Sequence, residues 1–362
     1  AMKPKHQRCQ PRSLVPLLMR RLRPIKLLPL ALLLMVPSLF AQDLGSNSHE
    51  LIGDRPNSGG DATEVAVSLY VIDIDSIDDV EQRFSIDFFV NISWQDSRLA
   101  LEESLHAGRN RTLPLDEIWS PRGLIVNDRG LNRQLPLVAD IDDFGRVQYR
   151  QRFSGDLAVD LDLREFPFDT QHLPITIVSY QYSPEEVRFS TPTALSMDDG
   201  LSNTDDWRYQ MLEPEIGDFT IAAAGVVRPQ LTIVIEAKRN ARYYLLTMLL
   251  PITLILFMAW TAFWLQPNII PPRIGISTAS IFSLIVFGFS IRLSLPPVAY
   301  LTKTDVFVIG SMLMVFLALG VAVISSRWAN SDRVEPALRL NAIARWVYIG
   351  LFFAVVAATA LI

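Results

Sequence analysis

Hydrophobic and polar positions divide this chain into two unlike halves. From residue 63 to about 240, short β-type runs are separated by turn residues, as in EVAVSLYVI, QRFSIDFFVNISW, RVQYRQRF, PITIVSYQY and QLTIVIEAK. Strands at this spacing, with no helical period of useful length, predict an antiparallel sandwich or barrel, and an immunoglobulin-like β-sandwich is the expected form over 63–240. Long uncharged stretches then replace the short runs. Tyr243–Leu265 carries no charge over about 23 residues, enough to cross roughly 30 Å of hydrocarbon. Ile274–Ile291, Val306–Ile324 and Trp346–Ile362 follow. The expectation is a multi-domain membrane protein whose second domain, 241–362, is a four-helix transmembrane bundle with spans at about 243–265, 274–293, 305–325 and 342–362.

The beginning of the chain reads differently from both halves. Lys3, Lys5, Arg8, Arg12, Arg20, Arg21, Arg23 and Lys26 precede the apolar run Leu27–Phe40, and Ala41 is a plausible cleavage residue. Residues 1–41 therefore read as an export signal, with a membrane anchor as the alternative, and 42–62 as a flexible, polar lead-in. Residues 42–240 hold 17 basic and 35 acidic residues, a net charge of −18, which excludes nucleic acid as a partner. The single cysteine, Cys9, falls in the export signal, so the sandwich has no disulfide to rely on. Four Arg against Asp332 and Glu335 within Arg327–Arg345 mark the connection between the third and fourth spans as cytoplasmic. An exported first domain then returns the C-terminus to the outside.

The second span, PPRIGISTASIFSLIVFGFSIRLSLPP, carries small polar residues where a lipid-facing helix would carry Leu. Gly275, Ala279, Phe282, Val286 and Phe289 recur at steps of four and three and so share one helical face. Such a face either lets neighbouring helices pack closely or lines a pore. Arg273 and Arg292 bracket it, and in a ring of subunits they would form two belts of positive charge.

Several ordered motifs carry a family resemblance. Phe166-Pro167-Phe168-Asp169 matches the core of a signature loop. Trp94, Asp96, Arg98 and Leu99 form a Trp-x-Asp-x-Arg-Leu pattern, and Trp119, Pro121 and Asn127 follow in EIWSPRGLIVN. SYQYSPEEV (Ser179–Val187) looks like the aromatic stretch of animal GABA-type receptors. FWLQPNIIPPRIGIS is similar to the start of the pore segment in glycine and GABA receptor chloride channels. Across 63–362 the chain resembles the pentameric ligand-gated (Cys-loop) ion-channel family, as a bacterial-type member. Val159 and Leu173 stand where the family has its two loop cysteines, so the loop is expected to hold by apolar docking. Pro272 replaces the usual Ala at the inner mouth.

The resemblance implies a homopentamer whose agonist site lies between neighbouring sandwiches. Tyr180 and Tyr182 are expected from one face, with Phe219 from the late hairpin, and Phe89, Arg150 and Arg152 from the neighbour. Asp78, Asp79, Asp169 and Arg239 are expected at the junction with the membrane, facing the loop Leu295–Lys303. Pro271, Pro272, Arg273, Gly275, Ala279, Phe282, Val286, Phe289 and Arg292 are expected to line the pore. The partners implied are copies of the same chain, a small-molecule agonist, permeant ions and membrane lipids, with no cofactor, in the plasma (inner) membrane. The Arg belts, and Pro272 at the position beside Arg273 where cation-selective relatives of the family usually have a Glu, favour chloride, against the acidic outer domain, which favours cations. Asp140, Asp142 and Asp143, like Asp73, Asp75, Asp78 and Asp79, read either as a solvated acidic surface or as oxygen ligands for Ca²⁺. There is no Gly-rich phosphate loop and no His/Cys metal spacing, so an enzyme is not expected. A non-conducting, membrane-anchored receptor is the rival reading.

Overall fold

The computed structural model describes residues 54–361, apart from Ala107, Thr193, residues 202–205, Ala224, residues 294–297 and Asp332. Residues 1–41, expected to be an export signal, and residues 42–53 of the expected lead-in lie outside the described residues. Residues 54–62 form a turn that Arg55 pins by donating to the carbonyls of Gly60 and Asp61.

Two sheets make the outer domain. The first runs in the order β10 (Ala194–Met197), β1 (Thr63–Asp78), β2 (Arg83–Gln95), β7 (Arg146–Ala158), β6 (Val138–Ile141), β3 (Arg111–Pro114). Two short strands, β5 (Asn132–Arg133) and β9 (Val187–Phe189), attach to β7 and β1. The second runs β11 (Trp207–Met211), β13 (Val226–Arg239), β8 (Thr170–Ser179), β4 (Gly123–Ile125), with β12 (Glu215–Ile221) also on β13. Side chains alternate across each strand. On β2, Phe84, Ile86, Phe88, Val90, Ile92 and Trp94 point inward, and on β13 Leu231, Ile233, Ile235 and Ala237 meet them. The intervening residues, Phe89 and Asn91 among them, are thereby left on the outer face of the first sheet. The sandwich is not wholly antiparallel. β9 and β10 lie parallel to β1, because they follow a crossover from the second sheet.

Val159 and Leu173 are buried, so apolar packing occupies the positions where relatives place a disulfide. Phe166, at a cis peptide with Pro167, is fully buried beside the ring of Tyr244. Trp94 and Trp119 also belong to the core, edge to face at 5.9 Å.

Four helices of length and composition suited to crossing a membrane follow: α1 (Arg242–Thr261), α2 (Ile270–Leu293), α3 (Lys303–Asn330) and α4 (Val334–Leu361). Within α1 a wide π-type turn covers Leu245–Leu249, just before Pro251. Proline has no N–H to give the carbonyl four residues back, and the altered register is how the helix accommodates that. Four boundaries differ most from the sequence expectation. α1 stops at Thr261, short of 265. α2 starts at Ile270, because Pro271 and Pro272 sit in a first turn whose N–H groups need no helical partner. α3 and α4 extend to Asn330 and back to Val334, so the basic stretch 327–345 is almost wholly helical and not a loop. A capping box, Thr302 with Asp305, starts α3.

Candidate functional sites

The second membrane helix divides sharply into two faces. Arg273, Ser277, Ser280, Leu284, Gly288 and Ile291 are buried against the other helices. The opposite face, with Pro271, Pro272, Gly275, Ala279, Phe282, Val286, Phe289 and Arg292, is exposed in the single chain. Phe282, Val286 and Phe289 are 64, 68 and 67% exposed.

Arg273 corrects the expectation that it lines this face. It precedes Gly275 by two residues, about 200° around the helix, and is completely buried. Its Nε donates to the carbonyl of Ala262 at 3.1 Å, Nη1 to Ser326 Oγ at 3.3 Å and Nη2 to Asn341 Oδ1 at 2.9 Å. The carbonyl at the end of α1 has no helical partner, and Arg273 satisfies it.

The residues expected around an agonist separate into two cavities. Phe89 on β2 and Arg150 on β7 line one of about 230 Å³, together with Tyr70, Asn91 and Ser196. Beside it, Arg152 stands opposite Phe89 in the β2–β7 register, with its guanidinium 5.7 Å from the ring centroid. Both arginines are engaged. Arg152 makes a two-pronged pair with Asp87 at 2.9 and 2.6 Å, which raises its pKa further. Arg150 bonds Asp140. Tyr180, 50% exposed, lines a second cavity of about 360 Å³ with Trp94, Tyr149, Arg122 and Arg133. Tyr182 turns toward the core. It is 9% exposed and packs 5.4 Å from the ring of Trp119, and burial raises its pKa. Phe219, half-buried, lies opposite Arg228 in the β12–β13 hairpin. Neither Arg122 nor Arg133 stands out in the sequence. The Pro121-Arg122-Gly123 turn is the only local sign, and Arg122 adopts a left-handed φ of 51° there.

The acidic triplet does not form a metal site. Asp140 accepts from Thr112 and Arg150, bonds that hold its pKa below the usual carboxylate range. Asp142 accepts from the backbone N–H groups of Phe144 and Arg146, and Asp143 from that of Gly108. Among the described residues no group of three or more His, Cys, Asp or Glu side chains is arranged to hold a metal ion.

The junction holds a densely bonded polar cluster. Arg239, the last residue of β13, is 6% exposed. Its Nε donates to Asp169 Oδ1 at 2.8 Å, and its Nη2 to Asp169 Oδ2 at 3.1 Å and Asp79 Oδ1 at 2.8 Å. The rings of Trp207, Phe166 and Tyr244 surround it, with centroids at 4.2, 5.0 and 5.5 Å. Burial opposes the charge on Arg239, but the hydrogen bonds it donates to Asp79 and Asp169 outweigh that and raise its pKa. For Asp79 the balance is reversed: burial outweighs Arg239 and raises the carboxyl. Asp78 is not part of this cluster. Its carboxylate accepts from the N–H groups of Val80 and Glu81 and so shapes the β1–β2 turn.

The signature loop touches the membrane domain directly. The Leu163 N–H donates to the Tyr300 hydroxyl at 3.0 Å, the Lys303 N–H to the Arg164 carbonyl at 2.9 Å, and Thr304 Oγ1 to the Phe166 carbonyl at 3.1 Å. Residues 295–297 of the expected facing loop lie outside the described residues.

Comparison with known proteins agrees with this architecture. The model of the neurotransmitter-gated ion-channel ligand binding domain matches residues 46–213, and that of the transmembrane region of the same channels matches 248–339. The gamma-aminobutyric acid receptor subunit beta of Caenorhabditis elegans is 24% identical over 306 residues, covering 77% of this chain and 53% of the relative. Subunit beta-4 of Gallus gallus is 27% identical over 276 residues, covering 73 and 55%. Subunit alpha-2 of Homo sapiens is 27% identical over 275 residues, covering 73 and 60%. The chain thus spans a little over half the length of the curated relatives it matches. With a sandwich joined through a buried arginine cluster to four membrane-crossing helices, and with both domains matched in order, the chain belongs to the neurotransmitter-gated, or Cys-loop, ion-channel family.

Proposed function

We propose that this chain is one subunit of a homopentameric ligand-gated channel, with the exposed face of α2 as the pore wall. The observation that carries the reading is the division of α2 into a buried face and an exposed face made of Gly275, Ala279, Phe282, Val286 and Phe289. Five copies arranged with these faces inward would cover them and leave narrow rings of Phe282, Val286 and Phe289. Apolar rings of that kind expel water when narrow and so close a pore.

Anions are the proposed permeant species. No acidic residue occurs in 270–293, and Arg292 is exposed at the outer end. Five Arg292 side chains at about 6 Å from an ion contribute roughly 3.5 kcal/mol in a water-like dielectric. The acidic outer domain lies farther away and is screened over about 8–10 Å. The agonist is proposed to be a small molecule bound between sandwiches, where the half-exposed ring of Tyr180 offers an aromatic face to an ammonium group and the Phe89–Arg150 cavity faces from the neighbour. Arg239, Asp169 and Asp79 transmit its binding to α1, and the docked signature loop to α3. Purified protein in planar bilayers, challenged with small amines and amino acids over a range of pH, tests the reading. Currents that Tyr180→Ala abolishes support it, and wild-type silence under every condition favours a non-conducting receptor.

A further inference from the structure

We propose that α4 fixes the inner mouth of the pore through a polar seam centred on Arg273, which serves as a positioning residue and not as a charge on the pore wall. Asn341, Arg345 and Tyr348 follow one another by four and three residues, so they share a face of α4. Each is tied to a different point. Asn341 accepts from Arg273. Arg345 donates from Nε to the Phe263 carbonyl at 3.1 Å, its own carbonyl accepts from the Trp260 indole at 3.1 Å, and its guanidinium lies 4.5 Å from the Trp264 ring centroid. The Tyr348 hydroxyl donates to the Leu256 carbonyl at 3.2 Å. Arg273 joins this seam to the end of α1 through Ala262 and to α3 through Ser326.

The chemistry makes the seam directive. Helices in hydrocarbon gain little from apolar contact with one another, so hydrogen bonds and close packing fix their register. A guanidinium sealed from water with three neutral acceptors must keep all of them. Arg273 stands one residue after Pro272 and two before Gly275, so any shift in its anchor moves the first turn of the exposed face. The fourth helix thereby acts on the pore without touching it.

The functional half of this inference rests on the channel reading, so the test separates the two. Gly275 is replaced by cysteine in a Cys9→Ser background. A Cβ there meets nothing within 4 Å, so the reporter fits. The labelling rate of Gly275→Cys by a membrane-impermeant charged thiol reagent is compared in reconstituted protein with native Asn341, Asn341→Ala and Asn341→Asp, alongside single-channel conductance. The expected result is a change on the order of tenfold in labelling rate with Asn341→Ala, from losing one hydrogen bond to a charged group, and a native rate with Asn341→Asp, which keeps the acceptor. Conductance follows the same order. Unchanged labelling in folded Asn341→Ala protein overturns the proposal, as does a conductance that Arg273→Gln alters and Asn341→Ala leaves native. Wild-type silence under every agonist and pH condition counts against the channel reading, while the labelling comparison still decides the seam.

Discussion

Truncating Arg239 to alanine removes two hydrogen bonds from Asp169 and one from Asp79, and it leaves both carboxylates where they are. The Asp169 side chain is 1% exposed and that of Asp79 15%, so neither is rehydrated without local opening. Removing one partner from a buried pair costs about 3–5 kcal/mol, because the remaining charge stays buried and uncompensated. Loss of the guanidinium's packing against Trp207 at 4.2 Å adds to this. Were the same contact solvated, the cost would be about 0–1 kcal/mol, so the two cases are separable. The assay is resistance to unfolding in titrated dodecyl sulfate, followed by bilayer recording of protein that still assembles. Arg239→Ala is expected to assemble, to lose stability on the buried scale and to pass no ligand-evoked current. Adding Asp169→Asn should recover part of the stability, since it removes the orphaned charge. Arg239→Lys should recover little, because a point charge cannot reproduce the fork. An Arg239→Ala protein within about 0.5 kcal/mol of wild type, or with native currents, refutes the reasoning.

Two further outcomes follow from the same geometry. Phe282→Ser puts a hydroxyl in the middle of the apolar stripe and should shift the closed–open equilibrium toward open; unchanged activation in bilayer recordings counts against Phe282 as a gate. Burial raises the Asp79 carboxyl in spite of Arg239, so the folded chain holds that proton more tightly than the unfolded chain does. The stability this contributes is present at low pH and is lost as pH rises from about 4 through the raised value. Asp79→Asn should flatten the stability profile in that window, and an unaltered slope contradicts the assignment.

The sandwich was legible because its core obeys a period of two. Phe84 to Trp94 on β2 and Leu231 to Ala237 on β13 alternate cleanly, and burial of the inner faces fixes their register. The membrane helices were legible from length and apolar composition. Their ends were not. The expected second span begins at about 274, yet Pro271 and Pro272 already occupy a helical turn whose N–H groups need no partner. Glu335, Arg339 and Asn341 concealed the start of α4, because that turn is not apolar on every side. The exposed stripe of α2 followed from helical spacing, and the same spacing places Arg273 on the other face. Charge alone suggested a belt, and only the acceptors on Ala262, Ser326 and Asn341 show where the charge goes. The near burial of Tyr182 was hidden for a similar reason, since it depends on packing against Trp119, a contact that local sequence does not encode. Arg239 and Asp169 came together as expected, whereas the aromatic shell of Trp207, Phe166 and Tyr244 is assembled from three separate segments.

The reversal potential of currents through the purified protein under a KCl gradient tests the central claim most directly. The account predicts reversal near the chloride potential, set by Arg292 at the outer end of a pore wall without acidic residues. Reversal near the potassium potential would contradict it and would place selectivity in the acidic outer domain.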